Sequence, residues 1–189
     1  MAKIAFPNRG DAPADLCVIL DRMPAMAPVD MLAQSPVLAR QFLRLARAQF
    51  TTLELTARNR EILILSVAAH FHCEYEYQQH IPISQDAGVD ATLREAIWTG
   101  KLDADEVDAQ DRALIEFVRS VLRAPSVPEP TMAAIQAHFC AGEIVEILHL
   151  TGFYWGFGRL CTVLDIEIET PDGLTSVNAV ANLSNPKPW

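Results

Sequence analysis

The run REILILSVAAHFHCEYEYQQH, Arg60 to His80, constrains the fold more than any other part of the chain. Its first half has the apolar character of a buried helix. Its second half is crowded with groups that carry protons: His70, His72, Cys73, Tyr75, Glu76, Tyr77 and His80, with Glu61 at the start of the run. On one helix Cys73, Glu76 and His80 fall at i, i+3 and i+7 and share a face. Glu61 lies twelve residues before Cys73, which on a straight helix is about 18 Å at 1.5 Å per residue. For Glu61 to join the others the chain has to bend, and HFHC is the place for it. Cys73 then opens a second helix that packs back on the first, where the helix dipole favours its thiolate. A carboxylate left alone on so apolar a helix is costly, so Glu61 is expected to hydrogen-bond to His80, nineteen residues on.

The rest of the chain carries the same helical period. Residues 14–27 read as a short first helix with Leu16, Ile19, Leu20 and Met23 on one side. PVLARQFLRLARAQF reads as an amphipathic helix with Val37, Leu38, Phe42, Leu45 and Phe50 inward and Arg40, Arg44 and Arg47 outward. Thr56 and Asp90 are N-cap candidates, and Gly100 ends the helix that Asp90 starts. Residues 109–123 form another amphipathic helix, with Leu114, Phe117, Val118 and Val121 inward. A proline-rich break precedes the short helix TMAAIQAHF, and GEIVEILHLTGFYWGFGRLCTVL is a long apolar one. TVLDIEIET is the one candidate strand. The fold class is all-α, with a single domain over 1–168 and an irregular tail over 169–189.

The net charge of −9 argues against a nucleic-acid partner, which needs a basic face, and against an anionic membrane surface. The longest apolar runs are too short to span a bilayer, and the N-terminus has no apolar core of a secretory signal. The expected location is the cytoplasm. There Cys17, Cys73, Cys140 and Cys161, widely spaced and without a C-x-x-C, are expected as free thiols. Cys17 and Cys161 are expected to be core residues. His70, His72, Cys73, Glu76 and His80 are donor types for a metal, as are Glu146 and His149 in EILH. A di-iron bundle needs two E-x-x-H motifs, and only one is present. No metal and no cofactor are expected.

The pattern Glu61, eleven residues, Cys73, two residues, Glu76, three residues, His80 resembles the carboxymuconolactone decarboxylase-like family, which includes the alkylhydroperoxidases that assist peroxiredoxins. The family motif is E-x11-C-x2-C-x3-H. Glu61, Cys73 and His80 match it, and Glu76 stands at the second cysteine, as in the non-redox branch that reads C-x-Y-E-W-x-x-H; Tyr77 stands where that branch has Trp. The resemblance covers residues 35–168 through QDRALIEFVRSV and EIVEILHLTGFYWGFGRLCTVLDI. It implies a helical AhpD-like fold whose Glu-bearing and Cys-bearing helices form an antiparallel pair, and assembly as a trimer, dimer or hexamer. It also implies a site near subunit contacts, and in the decarboxylase, acid–base chemistry without a cofactor.

The leading expectation is an enzyme doing acid–base chemistry on a small carboxylated or lactone-like substrate. His80 would be the general acid or base, Glu61 its tuning partner, Glu76 a second carboxylate, and Cys73 part of the site. Tyr77 and His72 are expected to line the substrate, and Tyr75 to pack. The alternatives are a thiol-dependent antioxidant enzyme using Cys73, and a non-catalytic helical oligomer that binds a small ligand. Gly152, Gly156 and Gly158, among Phe153, Tyr154, Trp155 and Phe157, are expected at a subunit interface of an obligate homo-oligomer. With Glu76 at the second motif position, oxidation of Cys73 is expected to stall at the sulfenic acid or to overoxidise, and the charge of Glu76 to oppose the thiolate.

Overall fold

The computed structural model describes residues 2–102, 107–170 and 173–183. Among these residues it is helical throughout, without a strand. The helices are α1 (Ala14–Leu20), α2 (Ala27–Leu32), α3 (Pro36–Thr51), α4 (Ala57–His70), α5 (Glu74–Asp86), α6 (Ala91–Thr99), α7 (Ala109–Arg123), α8 (Glu129–Gln136), α9 (Ala141–Leu164) and α10 (Gly173–Ala181). None of them is long and apolar enough to cross a membrane. Part of the acidic loop read before α7, residues 103–106, lies outside the described residues.

α4 is the axis of the molecule. Every residue from Asn59 to Ala69 is buried, because α5, α6, α7 and α9 pack around it. A helix apolar on all sides is stable only in such a place. Its ends are fixed by specific bonds. Thr56 Oγ1 accepts the Asn59 N–H at 3.2 Å, and Arg58 grips Asp111 on α7 through two bonds of 2.6 and 2.7 Å. The Glu146 carboxylate on α9 accepts the N–H groups of Glu54 and Leu55 just ahead of α4. Glu146 is therefore an anchor for the chain entering α4, and His149 on the same helix is exposed.

The bend falls at HFHC. His72 adopts φ +53°, the Cys73 N–H bonds to Ala68 O at 2.9 Å, and the His72 N–H bonds to Ala69 O at 3.2 Å. This is a Schellman closure, with a histidine at the left-handed position that glycine usually holds. Cys73 becomes the N-cap of α5, which packs along α4 as the partner helix.

The structure differs from the sequence reading in several elements; the first helix, read over 14–27, ends at Leu20. On α3 the buried positions are Ala39, Leu43, Ala46 and Gln49, while Val37 and Leu38 are 73% and 57% exposed. Ala39 and Ala46 share the inner face with Leu43, and Phe42 and Phe50 pack against the same cluster. TVLDIEIET is not a strand; α9 runs to Leu164, Asp165 caps it at φ +56°, and the following residues have no partner strand among the described residues. Residues 169–189 are not wholly irregular, since they include α10. Its sequence GLTSVNAVA is a weak helix former, and docking on α3 and α5 holds it; Val180 and, just beyond, Leu183 enter the cluster formed with Leu16, Leu20 and Leu43.

Candidate functional site

The bend brings Glu61 and His80 together. Glu61 Oε2 lies 2.7 Å from His80 Nδ1, and Glu61 Oε1 accepts a 3.0 Å bond from Arg60 Nε. Glu61 is completely buried, so these two partners carry the compensation that a buried carboxylate requires. Arg60 is held in turn: Nη1 donates to Gln49 O at 3.3 Å, and the guanidinium sits 4.4 Å from the centre of the Phe50 ring. With Nδ1–H donated to Glu61, His80 turns Nε2 towards Glu76, whose Oε2 is 3.7 Å away. That separation is beyond a hydrogen bond. The Tyr154 ring meets the His80 ring edge-on at 5.6 Å.

Glu76 differs from Glu61. It is 3% exposed and has no Lys or Arg against it. Burial first, then the negative charge available to Cys73 and Glu61, push its carboxyl well above the ordinary range, so that it holds its proton. The expected opposition of a Glu76 charge to the Cys73 thiolate is thereby relieved. Cys73, 2% exposed, is drawn down to about 7 by its hydrogen bond with the Cys161 thiol. Burial opposes that shift, and the N–H groups of Glu76 and Tyr75 at the start of α5 add to it. They face the sulfur without closing a side-chain cap bond. The Cys73 thiol also points to Gly158 O on α9 at 3.6 Å. Cys161 shifts the other way: its bond to Cys73 and its burial push its thiol up.

Gly158 packs directly against Cys73. A Cβ there would lie 3.4 Å from Cys73 Sγ, whereas at Gly152 and Gly156 a Cβ would meet nothing within 4 Å. Of the three glycines read as an interface, one serves the packing of the site and two face open space. Cys161, expected as a core residue, is buried, and it lies beside the site. The fold packs it in one cluster with Cys73, Tyr75, Met31 and Ile166, so Cys73 has a neighbouring thiol although its own helix lacks one.

A pocket opens beside this group. Phe42, Phe50, Phe153 and Phe157 wall it, Val177 and Val180 of α10 cover one side, and Glu76, Gln79, His80 and Tyr75 supply its polar groups. No Lys or Arg is among the described residues lining it. The Phe42 ring stacks on Phe153 at 4.7 Å and leans on Phe157 at 4.8 Å. A smaller cleft lies behind Glu76 and Tyr154, which line both cavities, and Cys73 borders that cleft together with Phe71 and Trp155. Cys73 is thus one side-chain layer behind the main pocket.

Two expected substrate-lining residues stand elsewhere. Tyr77 donates its hydroxyl to Arg94 O at 2.8 Å and packs on Trp98 at 4.3 Å, on the side of α5 turned to α6. His72 forms the bend, is exposed, and faces Trp98. Tyr75, expected only to pack, lines the pocket and donates to Glu169 Oε1 at 2.6 Å; the same oxygen accepts the Ala27 N–H. Tyr75, Tyr154, Arg60, Gln79 and Cys161 were missed as site residues. Of these, only Arg60 carried a local signal, as a cation beside Glu61 on an otherwise apolar helix. Among the described residues no three His, Cys, Asp or Glu side chains are arranged to hold a metal ion.

No family model matches the chain, and no curated protein matches it. Solved structures do. A peroxidase-related protein with an alkylhydroperoxidase AhpD core from Ralstonia eutropha aligns over 93% of this chain and 96% of its own, with 22% identity and a TM-score of 0.77. The debrominase Bmp8 aligns over 94% and 97%, with 17% identity and a TM-score of 0.70. A cysteine-to-alanine variant of Bmp8 has been solved in complex with 2,3,4-tribromopyrrole. A peroxidase-related protein from Silicibacter aligns over 75% of each chain, with 19% identity and a TM-score of 0.65. The chain therefore has the all-helical AhpD-like fold.

Proposed function

We propose that this chain is a thiol-dependent enzyme in which Cys73 attacks a small, uncharged, largely apolar electrophile while Glu76, His80 and Glu61 handle the protons. The observation that carries this reading is the pairing of opposite perturbations at one place. A thiol drawn down to about 7 stands beside a buried carboxyl that keeps its proton. A nucleophile next to a ready acid is the combination that bond cleavage with a poor leaving group requires. Glu76 supplies the proton to the leaving atom. His80, steadied by Glu61 and Arg60, replaces it from the pocket side. The lack of Lys or Arg among the described pocket residues favours a neutral substrate over the carboxylated one expected from sequence. A pocket walled by four phenylalanines suits a flat apolar molecule, and the relatives in fold include peroxidase-related proteins and a debrominase bound to a brominated pyrrole.

The test is thiol-dependent reduction of an organic hydroperoxide such as cumene hydroperoxide, in parallel with reductive removal of bromide from a bromopyrrole. Cys73→Ser is expected to lose at least about 100-fold in turnover, and wild-type turnover is expected to rise through pH 7 as the thiolate forms. Turnover unchanged in Cys73→Ser would overturn the reading. A second reading, acid–base catalysis as in a decarboxylase, draws support from one fact: His80 and Glu76 border the main pocket directly and Cys73 does not. Turnover of a lactone or carboxylic acid that survives Cys73→Ser and fails in His80→Asn would put it first. In either case the exposed Val145, Leu148, Trp155 and Val163 on α9 support assembly into a homo-oligomer; a monomer by light scattering at micromolar concentration would contradict that.

A further inference from the structure

We infer that Cys161, on α9, is the resolving thiol for Cys73, so that the two close a reversible disulfide between α5 and α9. The inference rests on the thiol reading above and adds a residue and a step to it. Its basis is geometric. Cys161 lies three residues after Gly158 on α9, and so shares the face whose missing side chain lets Cys73 Sγ approach within 3.4 Å of the Gly158 Cβ position. The two thiols share one buried cluster, and Cys161 exerts the largest pull on the Cys73 thiol. Cys17 and Cys140 are free thiols engaged elsewhere: Cys17 bonds to the Arg9 and Ala12 carbonyls, and Cys140 caps α9. A disulfide needs the sulfurs at about 2.04 Å.

The step balances with a hydroperoxide as oxidant. The Cys73 thiolate attacks the terminal oxygen of R–O–OH, the O–O bond breaks, and RO⁻ leaves as the alcohol after taking the Glu76 proton. Cys73 is then a sulfenic acid. Cys161 sulfur attacks Cys73 sulfur, the S–O bond breaks, and the hydroxide leaves as water with the Cys161 proton. Two thiols and one hydroperoxide give one disulfide, one alcohol and one water. An external dithiol returns the pair to the reduced state. Cys73 borders the smaller cleft together with Phe71 and Trp155. The cysteine that relatives place at the second motif position is thus replaced here from another helix, and position 76 is free to hold an acid.

The experiment is stoichiometric hydroperoxide added to the full chain, followed by non-reducing peptide mapping with and without a sulfenic-acid trap. A crosslinked Cys73–Cys161 peptide, lost on reduction, is the expected result. In Cys161→Ala the crosslink is expected to disappear and the share of oxidised Cys73 trapped as sulfenic acid to rise at least about tenfold, while the first oxidation slows at pH 7 because the contact that favours the Cys73 thiolate is gone. Wild-type Cys73 that accumulates sulfenic acid to the same level as in Cys161→Ala, or that links to Cys17 or Cys140, would overturn the inference and leave the thiol reading intact. Cys73 that takes up no oxygen at all would overturn both. The wild-type map decides the matter even if the variant folds poorly.

Discussion

The two ends of the buried polar group are built on opposite principles. At one end Glu61 is matched on each oxygen, by Arg60 at 3.0 Å and by His80 at 2.7 Å, and Arg60 is itself held by Gln49 and Phe50. At the other end Glu76 has no such partner and keeps its proton, and Cys73 lies between a second thiol and the start of α5. Both carboxyls are buried to nearly the same degree, so burial alone does not distinguish them. The partner does. A matched charge holds the fold together; an unmatched one is a shifted titration waiting for a substrate. The residues that hold the site together and those the proposed chemistry uses thus differ, overlapping at Glu61 and His80.

Substitutions should divide along that line. The largest effect is expected at the matched end. Glu61→Ala leaves the Arg60 guanidinium and His80 Nδ1 buried without their acceptor, at a cost of about 3–5 kcal/mol. That is about 10 °C in melting temperature for a chain of this size, measured by calorimetry at pH 7. A loss below about 1 kcal/mol would break the distinction.

At the unmatched end the sign reverses. The folded Glu76 carboxyl lies above its unfolded value of 4.5. Its contribution to stability is therefore fully present below that pH and is lost as pH rises through the folded value. Glu76→Gln keeps the shape and never ionises. It is expected to stabilise by about 1 kcal/mol at pH 8, with the gain shrinking towards zero by about pH 4. A gain that does not grow with pH would mean that Glu76 titrates normally. Smallest of all should be the effect of Cys73→Ala on unfolding, below about 1 kcal/mol, although the same substitution abolishes thiol chemistry.

The same division explains what could be read from the sequence. The helix pair, the bend at HFHC and the Glu61–His80 contact were legible because each rests on local spacing and on the cost of an unpaired buried carboxylate. The capping residues Thr56 and Asp90 were legible for the same reason. What stayed hidden depends on how distant helices meet. Cys161 is 88 positions from Cys73, and nothing in its own surroundings distinguishes it from a core thiol. Tyr75 and Tyr77 sit two residues apart and look alike in sequence; α6 packs against Tyr77, while Tyr75 is held by Glu169 and lines the pocket. α10 escaped notice because tertiary contact, not its composition, makes it helical.

The central claim is that Cys73 is an activated thiol, and its titration tests that most directly. The rate of alkylation of Cys73 by iodoacetamide should be followed from about pH 5 to about pH 10 with peptide-level mass spectrometry, using exposed Cys140 to report reagent activity in the same tube. The midpoint, rather than the absolute rate, is the readout, because burial slows the reagent at every pH alike. A midpoint at about 7 is expected, and a higher one in Cys161→Ala, where the hydrogen bond that lowers it is gone. A Cys73 midpoint at or above the ordinary thiol value of 9.0 would contradict the claim.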